Sequence, residues 1–83
     1  MDFSISSHAK ERIKDRGLSL KTISLVINAP DTVLTKTDCK QIFQKVIHEQ
    51  RSKYLYRIFI NTCKQPPSVI TAYKTSKIDK YEY

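Results

Sequence analysis

Two histidines, five tyrosines and fifteen basic side chains are the groups in this 83-residue chain that bear on chemistry near neutral pH. The eight carboxylates are scattered. Metal-free RNA cleavage asks for such a set. The 2′-hydroxyl attacks the adjacent phosphorus, a base takes its proton, cations hold the phosphorane charge, and an acid protonates the leaving 5′-oxygen. A metal-dependent nuclease would need carboxylates gathered around magnesium instead. Arg57 is the first candidate for transition-state stabiliser. Its planar guanidinium can grip two phosphate oxygens, and it stands in the apolar run "YLYRIFI", where a strand would hold it rigidly. Histidine is the natural acid or base, and His8 and His48 are both available. Tyr73 and Tyr81 are weaker candidates that would need depressed pKa values. Lys45, Lys74, Ser76, Lys77, Arg12 and Arg16 are candidates for holding phosphate, and Phe59 for stacking on a base. Each has a plainer reading. Arg57 would be a snorkelling arginine, His8 a helix-start residue bonded to backbone, His48 a polar strand end, and the lysines a solvated tail.

Composition narrows the partners. Fifteen basic against eight acidic residues give a net charge of +7 and a pI near 9.6. A small domain so charged attracts polyanions, with nucleic acid the leading candidate and an acidic protein partner second. No segment approaches the ~20 apolar residues of a membrane span. "MDFSISSHAK" has no basic region followed by an apolar run, so a cytoplasmic setting is expected. There disulfides are rare, although Cys39 and Cys63 could pair in principle. The cysteines and histidines fall into no zinc spacing, and no metal or other cofactor is expected.

The elements that must position these residues follow from local signals. A first helix is expected over about 7–16, with Ser6 or Ser7 as N-cap and Gly17, the one glycine, in the left-handed position after it. Ile5, Ala9 and Ile13 form its apolar stripe. His8, Arg12 and Arg16 recur every four residues and share one flank of that helix. A second helix is expected over about 19–28, capped by Ser19, with Leu20, Ile23, Val26 and Ile27 as its stripe and Pro30 as its stop. From Asp31 the apolar period shortens to two. Strands are expected over about 31–36, 41–49, 54–62 and 68–75, joined by short polar connections and followed by a basic tail, 76–83.

These elements predict one α+β domain, 1–83, with two N-terminal helices on one face of a four-stranded antiparallel meander. The simplest phase sends Ile58, Ile60, Ile70 and Ala72 to the core. Arg57, Phe59, Thr71 and Tyr73 then share the open face, while Lys45 points either way. Rings and cations on one open face suit single-stranded RNA. A sheet of this kind also normally has one wet face.

"HAKERIKDRGLS" followed by "VINAPDTVL" resembles the N-terminal half of a widespread prokaryotic family of small uncharacterised domains, with the signature H-A-x-x-R-x-x-x-R-G, two helices and a Pro-Asp before the first strand. "VITAYKTSKIDKYEY" resembles the C-terminal end of the BrnT-type toxins. The resemblance implies a RelE-like fold, metal-independent ribonuclease activity and an acidic antitoxin partner. In BrnT-like chains a basic residue directly follows the Ala of that last strand. Here Tyr73 intervenes and Lys74 comes next, which leaves the role open between the two.

The expected function is therefore a toxin-like RNA-binding protein acting as a metal-independent endoribonuclease. The alternatives are a non-catalytic RNA-binding module and a basic domain that docks an acidic partner. The His8–Arg12–Arg16 row is expected to clamp the tail through Asp79 or Glu82, or to border a binding surface, with the reacting surface at Arg57 and Tyr73.

Overall fold

A computed structural model describes residues 2–81 of the 83. The chain runs β1 (Ser4–Ile5), α1 (Ser7–Asp15), α2 (Leu20–Asn28), β2 (Thr32–Thr37), β3 (Lys40–Glu49), β4 (Ser52–Asn61), β5 (Ser68–Thr75) and a single 3-10 turn, Ile78–Lys80. The fold is α+β.

Local chemistry sets the helix ends. Ser6 accepts a hydrogen bond from the Ala9 N–H and Ser19 one from the Thr22 N–H, each satisfying an orphan amide of a first turn. Gly17, at φ 71°, ends α1. The Leu18 N–H bonds back to the Ile13 carbonyl and the Gly17 N–H to the Lys14 carbonyl, both at 3.0 Å. That paired closure needs a left-handed residue after the cap. It also turns Leu18 inward beside Ile13, so the joint between the helices is itself part of the core.

The sheet is five-stranded and mixed, in the order β1-β5-β4-β3-β2. Strands β2 to β5 pair antiparallel in sequence order, and β1 adds to β5 in parallel through Ser4↔Ser68 and Ile5↔Val69. The expectation of four strands thus misses β1. Two residues are too short to show a period, and Ile5 belongs to this edge rather than to the stripe of α1.

Both helices cover one face. Ile13, Leu18, Ile23, Val26 and Ile27 pack against Phe43, Tyr56, Ile58, Ile60, Val69 and Ala72. Leu20, expected on that stripe, is exposed at the start of α2. Ile70, expected in the core, is 41% exposed. The pairing passes from Phe59↔Thr71 to Ile60↔Val69, leaving Ile70 as the extra residue of a bulge. Val69 takes the core place opposite Ile60.

The Lys40↔Asn61 pairing brings the β2–β3 turn beside the start of the β4–β5 loop. Cys39 and Cys63 lie there with Cα atoms 5.0 Å apart and form a disulfide, contrary to the expectation from compartment alone. Among the described residues, no helix is long and apolar enough to cross a membrane.

Two measurements check how the fold is held. Cutting a cross-link between residues 24 apart in sequence frees the unfolded chain. Cys39→Ser should therefore lower unfolding free energy by about 3 kcal/mol in urea denaturation; a loss under about 1 kcal/mol would contradict it. The Asp31 carboxylate accepts from the Val46 N–H at 2.9 Å and from Lys45 Nζ at 3.3 Å. The Val46 bond, opposed by burial and assisted by Lys45, holds its pKa below the ordinary 3.8. A depressed folded value stabilises above the unfolded pKa and is lost as pH falls through the folded one. Asp31→Asn should cost about 0.5 kcal/mol at pH 7, small because the group is well exposed. Its gap to wild type should close progressively as pH drops below 3.8.

Candidate functional site

The register of the three central strands assembles the face away from the helices. Gln44 on β3 lies opposite Arg57 on β4, which lies opposite Tyr73 on β5. Ile42, Phe59 and Thr71 form the next row on the same face. Arg57 is 8% exposed and Gln44 fully buried. The Arg57 Nε donates to Gln44 Oε1 at 2.6 Å, and its Nη1 donates to the Tyr73 hydroxyl. The guanidinium carbon stands 5.5 Å from the Phe59 ring, 5.6 Å from the Tyr73 ring and 4.4 Å from the Tyr81 ring. Tyr81 reaches it because Ile78, in the 3-10 turn, is buried and anchors the tail. Among the described residues the ion pairs are Lys45–Asp31 and Lys74–Glu49, and Arg57 is in neither. Its charge is balanced by one amide oxygen, one hydroxyl and three π faces, each face contributing on the order of 1 kcal/mol.

Tyr73 feels this setting. Burial raises its pKa above the ordinary 10.0, and contact with Tyr81 adds to the rise against the pull of Arg57. Tyr73 is thus a neutral phenol at physiological pH. It accepts from Arg57, and its own hydrogen is engaged by Tyr81. The depressed value that a base would need is absent.

The α1 row comes to the same place. α1 packs against β5. There Arg16 Nη1 donates to Thr71 Oγ1 at 2.9 Å and to the Ala72 carbonyl at 2.8 Å, capping a stretch of β5 edge that β1 is too short to pair. Arg12 Nε donates to His8 Nε2 at 2.8 Å, one helical turn away. His8, Arg12 and Arg16 form one wall of an open cleft of about 450 Å³. Phe59, Thr71, Tyr73 and the bulged Ile70 form the other. Phe59 and Tyr73 stack with ring centroids 6.0 Å apart.

The structure therefore gathers His8, Arg12, Arg16, Phe59 and Tyr73, with Arg57 buried directly behind Tyr73. The row faces the Phe59–Tyr73 pair across the cleft. Arg16 donates to β5, neither ion pair among the described residues joins the row to Asp79, and Glu82 lies outside the described residues. Other expected site residues stand elsewhere. Lys45 and Lys74 pair with Tyr56 across the sheet and so lie on the helix face, engaged by Asp31 and Glu49. Lys74 also sits over the rings of Tyr54 and Tyr56, at 4.7 and 5.7 Å. His48 shares the face of Arg57 but lies four residues along β3 from Gln44, about 13 Å away, beside the β3–β4 turn. Ser76 and Lys77 line a separate cleft toward that end. Gln44 was not singled out from sequence. A two-residue turn at Gln50–Arg51 sets it opposite Arg57 by simple counting.

The chain belongs to the family described as a domain of unknown function, DUF4258, whose profile matches residues 5–74. No curated protein and no solved structure matches it. The matched span contains both walls of the cleft as well as Gln44 and Arg57; Tyr81 lies beyond it.

The coupling of Tyr73 to the tail is measurable. Tyr81→Ala removes the covering ring and leaves Arg57 in place, so the pKa of Tyr73 should fall toward 10.0 or below. Tyrosinate absorbance followed against pH, with Tyr73→Phe in each background to assign the step, reads the shift. A Tyr73 step that stays put would contradict this account.

Proposed function

We propose that this protein is a toxin-like RNA-binding protein, a metal-independent endoribonuclease of the BrnT and RelE kind, working on RNA in the cytoplasm and restrained there by an acidic antitoxin. The observation that carries the reading is the cleft itself. One histidine and two arginines on α1 face a stacked Phe59–Tyr73 pair across about 450 Å³ of open space.

The chemistry can be written with these side chains. Phe59 stacks on a base, since every base has a π face. Arg12 and Arg16 hold the phosphate oxygens. A phosphate that engages Arg12 competes with His8 for its Nε–H, which releases His8 Nε2 to take the proton of the 2′-hydroxyl. The bond from the 2′-oxygen to phosphorus forms, and the phosphorane charge falls between the two guanidinium groups. The bond from phosphorus to the 5′-oxygen breaks as Tyr73 gives its proton to that oxygen. The products are a 2′,3′-cyclic phosphate and a free 5′-hydroxyl. Arg57 touches Tyr73 rather than the RNA, and its part is to orient that hydroxyl and balance the phenolate left behind.

The test is incubation of the purified protein with a labelled single-stranded RNA in the presence of a chelator. Fragments ending in cyclic phosphate are expected, with His8→Ala and Tyr73→Phe each slowing cleavage by about a hundredfold. Expression of the wild type alone should arrest growth. Intact RNA together with salt-sensitive binding would replace the enzyme with a binding module. Intact RNA with no binding at low salt would remove the RNA reading altogether.

A further inference from the structure

A second concentration of positive charge lies on the same face as the cleft, at the opposite end of the sheet. Lys53 lines two adjoining depressions there. One holds His48 and Arg51 at the β3–β4 turn, and the other holds Lys77 and Lys80 beside the 3-10 turn. Register puts Lys53 and His48 on the face of Arg57. Arg51, Lys53, Lys77 and Lys80 are all exposed, and neither ion pair among the described residues includes any of them. The acid lining these depressions is Asp79. The nearest strand acid, Glu49, is engaged by Lys74 on the helix face. Ile78 is buried, so Lys77 and Lys80 flank an anchored turn rather than a loose end.

The two cationic ends are linked by rings. Lys53 and Phe59 are six residues apart on β4, about 20 Å along the strand. Between them on this face stand Arg57, Tyr73 and Tyr81. Lone surface lysines at a hairpin end need no explanation beyond solvation. Four cations against one acid, collinear with a second cationic cleft and joined to it by an aromatic ridge, make a shape that fits an elongated polyanion with flat groups along it.

We propose that this end of the sheet is a second phosphate-binding pole for single-stranded RNA, so that the strand runs from the α1 cleft across Tyr81 to Lys53, Lys77 and Lys80. The proposal rests on the RNA reading of the cleft and extends it. A span of about 20 Å corresponds to about six nucleotides at the stacked spacing of ~3.4 Å, within the footprint of small single-strand binders.

The experiment compares fluorescent oligouridylates of three and twelve nucleotides by anisotropy over a salt series. Both are measured with wild type, with a Lys53→Gln, Lys77→Gln, Lys80→Gln variant, and with an Arg12→Gln, Arg16→Gln variant. The lysine variant should bind the twelve-mer about tenfold more weakly at low salt. Its log-log salt slope should be shallower by about 2, the counterions of three lost phosphate contacts. Its affinity for the three-mer, seated in the cleft, should be unchanged. A lysine variant with wild-type affinity and slope on the twelve-mer overturns the second pole. If the arginine variant is weakened in that same experiment, the cleft survives without the track. Binding by neither oligonucleotide overturns both. Displacement of the twelve-mer by polyglutamate of equal charge as readily as by unlabelled RNA overturns the assignment to RNA and makes the pole a site for acidic protein.

Discussion

A guanidinium buried in the middle of the sheet is the feature on which the far side of this protein depends. Arg57 lies on the central strand β4, and its bonds reach β3 through Gln44 and β5 through Tyr73, while the tail covers it with Tyr81. The helix side is held by apolar area and needs no such device. The far side has less apolar surface to offer and is held around a charge. A one-residue slip of β4 would turn Arg57 into the isoleucine cluster under the helices. An unpaired cation there costs several kcal/mol. Arg57 therefore fixes the register of the sheet as well as the position of Tyr73.

The two faces divide the charge of the molecule between them. Both ion pairs among the described residues, Lys45–Asp31 and Lys74–Glu49, lie on the helix side, where cation and acid cancel locally. The far side keeps arginines and lysines with aromatic rings for company. Rings stabilise a cation without neutralising it. Part of the excess of +7 thus stands beside the stacking groups, while exposed Lys10, Lys14 and Lys21 carry more of it on the two helices.

What was legible in the sequence was local. Ser6, Ser19, Gly17 and Pro30 mark the helix ends because capping and turn chemistry act within a few residues. The alternation of "KYLYRIFINTC" placed Ile58 and Ile60 inward and Arg57 and Phe59 outward correctly for the same reason. The misreadings are of another kind. Ile70 was phased inward because alternation assumes an unbroken ladder, and a bulge between Phe59 and Ile60 breaks it. Ile5 was given to the helix because a two-residue strand is recognisable only from its partner. Lys45 and Lys74 looked like site cations because which face they join depends on cross-strand pairing. The surroundings of the α1 row were hidden for the deepest reason. That His8, Arg12 and Arg16 look onto Phe59 and Tyr73 depends on how α1 docks along β5, and the contact joins residues more than fifty apart in sequence.

The tail separates the properties of the cleft into two groups. Gln44, Arg57, Tyr73, Phe59 and the α1 row all fall within the span that matches the family, 5–74. They suffice to bring guanidinium groups, a histidine and a phenol together. The third ring over Arg57 comes from Tyr81, outside that span. Burial and contact with Tyr81 are what raise the pKa of Tyr73. The juxtaposition of Arg12 and Arg16 with the stacked rings is therefore built wholly within the span that matches the family. The state of the Tyr73 proton is set by a short turn, anchored through one isoleucine, that this chain lays over the sheet.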